Sequence, residues 1–132
     1  TTAMQAIEQA IKDHAGDGEQ VHVFSHLSHV YGQGSSIYTT YFFRNSDTYA
    51  KSLARWQSIK KAGGDAVIAM GGTISHQHGV GRDHKPWLAL EKGTLAMQAL
   101  GQVVEFFDEK QLMNSGCLAD FDQFRTNLKT TN

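Results

Sequence analysis

Two runs rich in β-branched and aromatic residues, 21–27 (VHVFSHL) and 36–44 (SIYTTYFFR), lie on either side of the turn sequence Tyr31-Gly32-Gln33-Gly34. Strands joined by so short a connection pair antiparallel, because a parallel pair needs a crossover of a dozen or more residues. This hairpin constrains the fold more than any other feature of the chain. Its second strand has apolar or aromatic side chains on both faces: Tyr38 and Phe42 on one, Ile37, Tyr41 and Phe43 on the other. Side chains alternate along a strand, so that pattern predicts cover on both sides.

The remaining elements follow from helical periodicity and turn residues. Met4, Ile7 and Ile11 recur at helical spacing, which predicts a helix over 3–14 closed by Gly16-Asp17-Gly18. Asn45-Ser46-Asp47 is a good N-cap cluster. The helix it opens carries Tyr49, Leu53, Trp56 and Lys60 on one stripe and is expected to stop at Gly63-Gly64, with Lys60 and Lys61 favouring its C-terminus. Ala66–Met70 reads as a short third strand, and 71–85 as a loop rich in glycine and histidine. Pro86 suits the first turn of a last helix running to about Phe107, with Leu95, Ala99, Val103 and Phe106 inward. The polar tail after Asp120 is expected to fray. The order α-β-β-α-β-α gives an α+β class: a small antiparallel sheet covered by helices, in a single domain over 1–132.

Composition removes several functions. The net charge of -1 comes from interspersed charges, without the basic stripe of a nucleic-acid binder. No apolar run approaches the ~18 residues of a membrane span, and the start lacks a signal-peptide pattern. The single cysteine, Cys117, rules out an internal disulfide framework and fits a reducing, cytoplasmic compartment. The chain opens Thr1-Thr2 without Met, as expected of a segment of a longer polypeptide.

Three clusters could carry chemistry. The first, His22 to Tyr31, holds His22, His26 and His29. A zinc site would want thiolate or carboxylate help, so histidines hydrogen-bonded around a polar pocket fit better than a metal. The second is Tyr38, which on an aromatic strand is by itself an ordinary core residue. The third is Gly71-Gly-Thr-Ile-Ser-His76-Gln-His78-Gly-Val-Gly81. Glycines on both sides of the imidazole pair let the backbone approach a flat ligand or take positive φ. If 74–78 is extended, His76 and His78 share a side, where they could move protons, hold an anion or bind a metal. A glycine-rich turn with two solvated histidines has the same pattern. The glycine spacing is neither a Walker loop nor GxGxxG, and no GxSxG elbow supports a nucleophilic serine.

Taken in order, these residues resemble the C-terminal region of FAD-linked oxidases of the vanillyl-alcohol oxidase superfamily. The likeness runs from about Val21 to Leu118. It rests on SHxYxxGxxxY (Ser28, His29, Tyr31, Gly34, Tyr38), GGTISHQHGVG at 71–81, Lys85-Pro86-Trp87 and Asn114-Ser-Gly116-Cys-Leu118. Its alkyldihydroxyacetonephosphate synthase branch comes nearest, with SHHHGVG before a Lys and a Trp. The middle histidine of that triplet is Gln77 here, and Ser115 replaces the proline of the NPGKL turn. The 2-hydroxyacid dehydrogenase branch is the alternative enzyme. It carries GHxGDGNxH and GEHGVG, and a neutral Gln77 and a phenolic Tyr38 are poorer metal ligands than the Glu and His of those motifs. A non-catalytic α+β binding module is the alternative of another class.

The resemblance implies a cap, or substrate, domain with no metal. FAD would be held mainly by an FAD-binding domain of the same polypeptide, lying upstream. It implies catalytic roles beside the flavin for Tyr38, His76 and His78. Gly79, Gly81 and Asn114 would lie against the cofactor or its domain. His29, Gln77, Arg82 and Lys85 would face a small-molecule substrate, phosphorylated in that branch, although solvated charge is the ordinary role of an exposed Arg or Lys. Without the flavin domain the chain is expected to lack FAD and to expose an apolar docking patch, through which it could form a homodimer.

Overall fold

Helix α1, Thr2–Asp13, presents Ile7 and Ile11 one turn apart, and both are buried. The structure, a computed structural model, describes residues 2–16 and 18–124. Strands β1 (Val21–Tyr31) and β2 (Gly34–Phe43) pair antiparallel across a two-residue connection. Val21, Val23, Ile37, Tyr41 and Phe43 turn inward onto a core made by Ile7, Ile11 and Ile59. On the same side the hydroxyls of Ser25 and Thr39 bond across the strands at 2.9 Å. Helix α2, Tyr49–Ala69, starts at Thr48, whose hydroxyl accepts from the Lys51 N–H. It supplies Ile59, which is 0% exposed.

The third strand expected at 66–70 is helix instead, and among the described residues the sheet has two strands. Helix α2 runs straight through Gly63 and Gly64. Gly63 lies beside Ile11, where a Cβ would come 3.5 Å from that side chain, and Gly64 is buried. These glycines therefore serve packing between helices rather than termination. The helix ends at Ala69 with Met70 as its C-cap, and Gly71 just beyond has φ 71°, the left-handed conformation of a helix stop. The Gly71 N–H donates to Ile68 O and the Gly72 N–H to Val67 O, both at 2.9 Å, satisfying carbonyls that would otherwise be orphaned. The expected N-cap cluster also sits slightly early, since Thr48 takes the cap.

The α+β class stands, but the sheet is covered on one face only. Tyr38 is 50% exposed and Phe42 59%, with Phe24 beside them. The physical reason lies within the first unit: α1 and α2 both contribute to the core on the inner face, which leaves that unit no helix for the outer one.

Contacts divide the chain into two compact units, Thr1–Gly72 and Thr73–Asn132. In the second, α3 spans Gly81–Phe107, so the loop before it is shorter than the 71–85 expected. Pro86 lies inside this helix rather than at its start, and Gly93 interrupts it with φ 76° and ψ 166°, a conformation essentially confined to glycine. The core of this unit is Leu88, Met97 and Ala119, with Leu118, Phe121 and Phe124 against it. The inward stripe expected of Leu95, Ala99, Val103 and Phe106 is outward: Leu95 is 80% and Phe106 82% exposed. Met97, at 0% exposure, and Gly101 face inward instead, and Phe121 lies so close to Gly101 that a Cβ there would meet its ring at 3.3 Å. Of the polar tail, Phe121–Phe124 forms a short 3-10 turn, and the rest lies outside the described residues. No helix among the described residues is long and apolar enough to cross a membrane.

Candidate functional site

The outer face of the hairpin is built by register. Directly paired residues point to the same side of a sheet. The pairs His22↔Phe42, Phe24↔Thr40 and His26↔Tyr38 therefore form successive rows on the open face. Tyr38 is not sealed in the core. Its ring stacks on His26 with centroids 5.4 Å apart and planes 24° from parallel, and it is half exposed. A phenol so placed can exchange a proton with a ligand resting on this face.

A β-bulge between Leu27 and His29 sets the next row. Leu27 pairs with Ile37 but His29 pairs with Ser36, leaving Ser28 as the extra residue. Without the insertion Ser28 would face outward and His29 would point to the core side, because a one-residue shift exchanges the two faces. The bulge thus brings His29 onto the face of Tyr38. There Ser28 Oγ lies 2.8 Å from His29 Nδ1 and 3.0 Å from Ser36 Oγ. The His29 N–H donates to Ser36 Oγ at 3.0 Å, and the imidazole stacks on Tyr31.

His76, Gln77 and His78 belong to the second unit. The segment is not extended: the His78 N–H donates to His76 O at 2.8 Å and Gln77 has φ 53°, so the chain turns at Gln77. The alternation that would put both imidazoles on one side does not apply. All three residues are exposed, and Ser75 Oγ closes the loop by donating to Gly79 O at 2.5 Å. A Cβ built on Gly79 or Gly81 would meet nothing within 4 Å, and both have positive φ. The space beside their backbone is thus open. No dinucleotide-phosphate loop accompanies it in this sequence.

The loop is tied down by Glu91, whose Oε2 accepts the Ile74 N–H at 2.9 Å and whose other oxygen pairs with Lys92 at 2.6 Å. Burial alone would raise this carboxyl. The hydrogen bonds from Lys92 and Ile74, with the Lys92 charge, outweigh burial and hold it below its ordinary 4.5. A depressed carboxyl stabilises the folded form above its unfolded pKa, and that contribution is lost as pH falls through the folded pKa. The Ile74 amide resonance is therefore expected to titrate with a midpoint below 4.5, and Glu91→Gln is expected to abolish the titration. A midpoint at or above 4.5 would contradict the assignment.

Arg82 and Lys85 are engaged within the second unit. Arg82 Nε donates to Cys117 Sγ at 3.3 Å, and Lys85 Nζ donates to Gly116 O at 2.9 Å and to Asp120 at 2.5 Å. Both side chains hold the 116–120 segment to the start of α3. Asn114, exposed with φ 51°, accepts the Cys117 N–H on its carbonyl at 3.0 Å. Arg82, Asn114 and Cys117, with Glu105, Asp108 and Phe121, line a cavity of ≈ 700 Å³. The sequence reading named Gly81, Arg82 and the 114–118 turn separately but did not join them as one cavity, because the two segments lie more than 30 positions apart. Among the described residues no three His, Cys, Asp or Glu side chains converge as a metal site.

Comparison with known proteins agrees with these motifs. The family of FAD linked oxidases, C-terminal domain, matches residues 1–118. Alkyldihydroxyacetonephosphate synthase of Dictyostelium discoideum is 28% identical over 104 residues, covering 79% of this chain and 17% of that protein. The enzyme of the same name from Caenorhabditis elegans is 32% identical over 94 residues, covering 71% of this chain and 16% of that protein. An uncharacterized FAD-linked oxidoreductase of Escherichia coli K12, YgcU, is 28% identical over 95 residues, covering 70% and 19%. The chain thus spans less than one-fifth of the length of these curated relatives. No solved structure matches it. A match over 118 of 132 residues places the chain in the C-terminal domain family of FAD-linked oxidases.

Proposed function

We propose that this chain is the substrate-side C-terminal domain of an FAD-dependent enzyme resembling alkyldihydroxyacetonephosphate synthase, completed by an FAD-binding domain of the same polypeptide. The observation that carries the reading is Tyr38, a half-exposed phenol stacked on an imidazole, on the open face of a sheet whose other face is closed by core. Bound FAD would supply electrophilic or redox chemistry, and the protein would supply position and protons. Tyr38 is the acid/base toward the substrate carbon. His76 and His78 hold a substrate oxygen or phosphate and relay protons, and Gln77 faces the substrate. The open backbone at Gly79 and Gly81 lies toward the flavin ring. The exposed apolar stripe Leu95, Ala99, Val103 and Phe106 is a docking surface of the kind a flavin domain would cover. A cytoplasmic compartment belongs to this reading on the strength of the single cysteine alone.

The test is spectroscopic. The complete polypeptide is expected to purify with stoichiometric FAD, whereas residues 1–132 alone are expected to purify colourless. A flavin spectrum on the isolated chain would overturn the division of labour. A complete polypeptide that neither binds nor responds to FAD would overturn the assignment itself.

A further inference from the structure

An exposed phenol acts on one atom of a ligand only if it is aimed. A tyrosine on a strand has two common χ1 wells, and a change of well swings its hydroxyl across the sheet surface. The backbone under Tyr38 is fixed. On one flank Ser25 and Thr39 bond hydroxyl to hydroxyl at 2.9 Å. On the other, Leu27 pairs with Ile37, which packs on the core. The bulge that follows Leu27 pins the register, so His26 stays opposite Tyr38. The side chain is a separate matter. Tyr38 is half exposed, and among the described residues its hydroxyl makes no hydrogen bond. What holds the ring is its stack on His26, with centroids 5.4 Å apart and planes 24° from parallel. The neighbouring ring gives no second support, since Phe24 turns to Phe42 at 6.1 Å. The imidazole nitrogens of His26 bond to no described residue either. The position therefore uses the flat face of the ring rather than its nitrogens.

We infer that His26 is a positioning residue: its imidazole is a backstop that selects one orientation of the Tyr38 ring and so aims the phenol, without handling a proton itself. The orientation half stands on the stack alone. The consequence for turnover rests on the reading of Tyr38 as the acid/base. An aromatic pair of this kind favours the paired arrangement by about 2–10-fold. Without it the phenol is present but aimed only part of the time. That is a loss in the chemical step, where small misplacements are costly, and not in ligand binding.

Tyrosine-selective NMR on the chain itself gives the first readout, with Tyr38 assigned by the signal lost in Tyr38→Phe. Its Hα–Hβ couplings are expected to show one dominant χ1 well in the parent and averaged values in His26→Ala. In His26→Phe, which keeps a flat ring, one well should dominate again. Tyr41, on the inner face against the core, is the internal control and should not change. Averaged couplings in the parent, or couplings that ignore His26→Ala, overturn the inference. Tyr41 changing along with Tyr38 also overturns it, in favour of a general packing role. The second readout is turnover of the complete flavin-loaded polypeptide. His26→Ala is expected to lower kcat by about 2–10-fold with KM nearly unchanged, and His26→Phe to recover most of the loss. Equal losses in the two variants would mean that the imidazole nitrogens act, which overturns the positioning role. In the Tyr38→Phe background, His26→Ala should cost little more, because the hydroxyl it aims is gone. A further loss of full size overturns the inference. Turnover indifferent to Tyr38→Phe would instead remove the acid/base reading and leave the couplings to decide the orientation half.

Discussion

Tyr38→Phe, introduced into the complete flavin-loaded polypeptide, is expected to lower turnover by about 10²–10⁴-fold, the usual contribution of a general acid or base. The thermal midpoint should stay where it is. The substitution removes one hydroxyl and keeps the ring, so the stack on His26 at 5.4 Å survives. The ring is half exposed and forms no part of the Ile7–Ile11–Ile59 core, so stability has little to lose. The diagnostic is the separation of the two readouts. Turnover and stability falling together would make Tyr38 a packing residue, and an unchanged turnover would remove it from the chemistry.

The largest effect on stability is expected at Ile59. Truncation to Ala should cost about 2–5 kcal/mol, because a fully buried aliphatic side chain loses its transfer energy and leaves a cavity. Small domains have only about 5–15 kcal/mol in total, so this single change removes a large share. Ile59 is 0% exposed and meets Ile7 and Ile11 of α1 and the inward residues of both strands. Leu95→Ala is the control. At 80% exposure it should fall within about 0.5 kcal/mol of the parent in urea unfolding. Equal losses at the two positions would mean that the outward stripe of α3 is covered in solution.

The hairpin and the first helix were legible because their signals are local. Alternation and Gly32 fix the pairing of 21–31 with 34–43, and Ile7 and Ile11 fix the inner face of α1. The misreadings arise where a local rule has two meanings. Gly63-Gly64 has the composition of a helix stop, yet helix contact keeps both inside α2, and the stop is made by Gly71, which takes the left-handed conformation. Ala66–Met70 is short and apolar, a pattern that cannot separate strand from buried helix. Tyr38 and Phe42 look like core by composition, but whether anything covers them depends on layers that the pattern does not encode. Within the candidate site, the glycine-flanked histidine loop was readable from its motif. The bulge was not, because the insertion of Ser28 becomes visible only against its partner strand.

Gly93 in α3 carries a consequence for how the second core closes. Leu88 and Met97 are both buried in it, and they are nine positions apart, since 97 − 88 = 9. At about 100° per residue, nine positions amount to two and a half turns, which on an unbroken helix sets two side chains on opposite sides. One straight rod could not bury both residues in one core. The glycine resets the angular phase between residues 81–92 and 94–107, turning two mismatched stripes into one. The same reset rotates Leu95, Val103 and Phe106 outward, so the exposed apolar stripe and the buried Met97 are two results of a single dihedral pair.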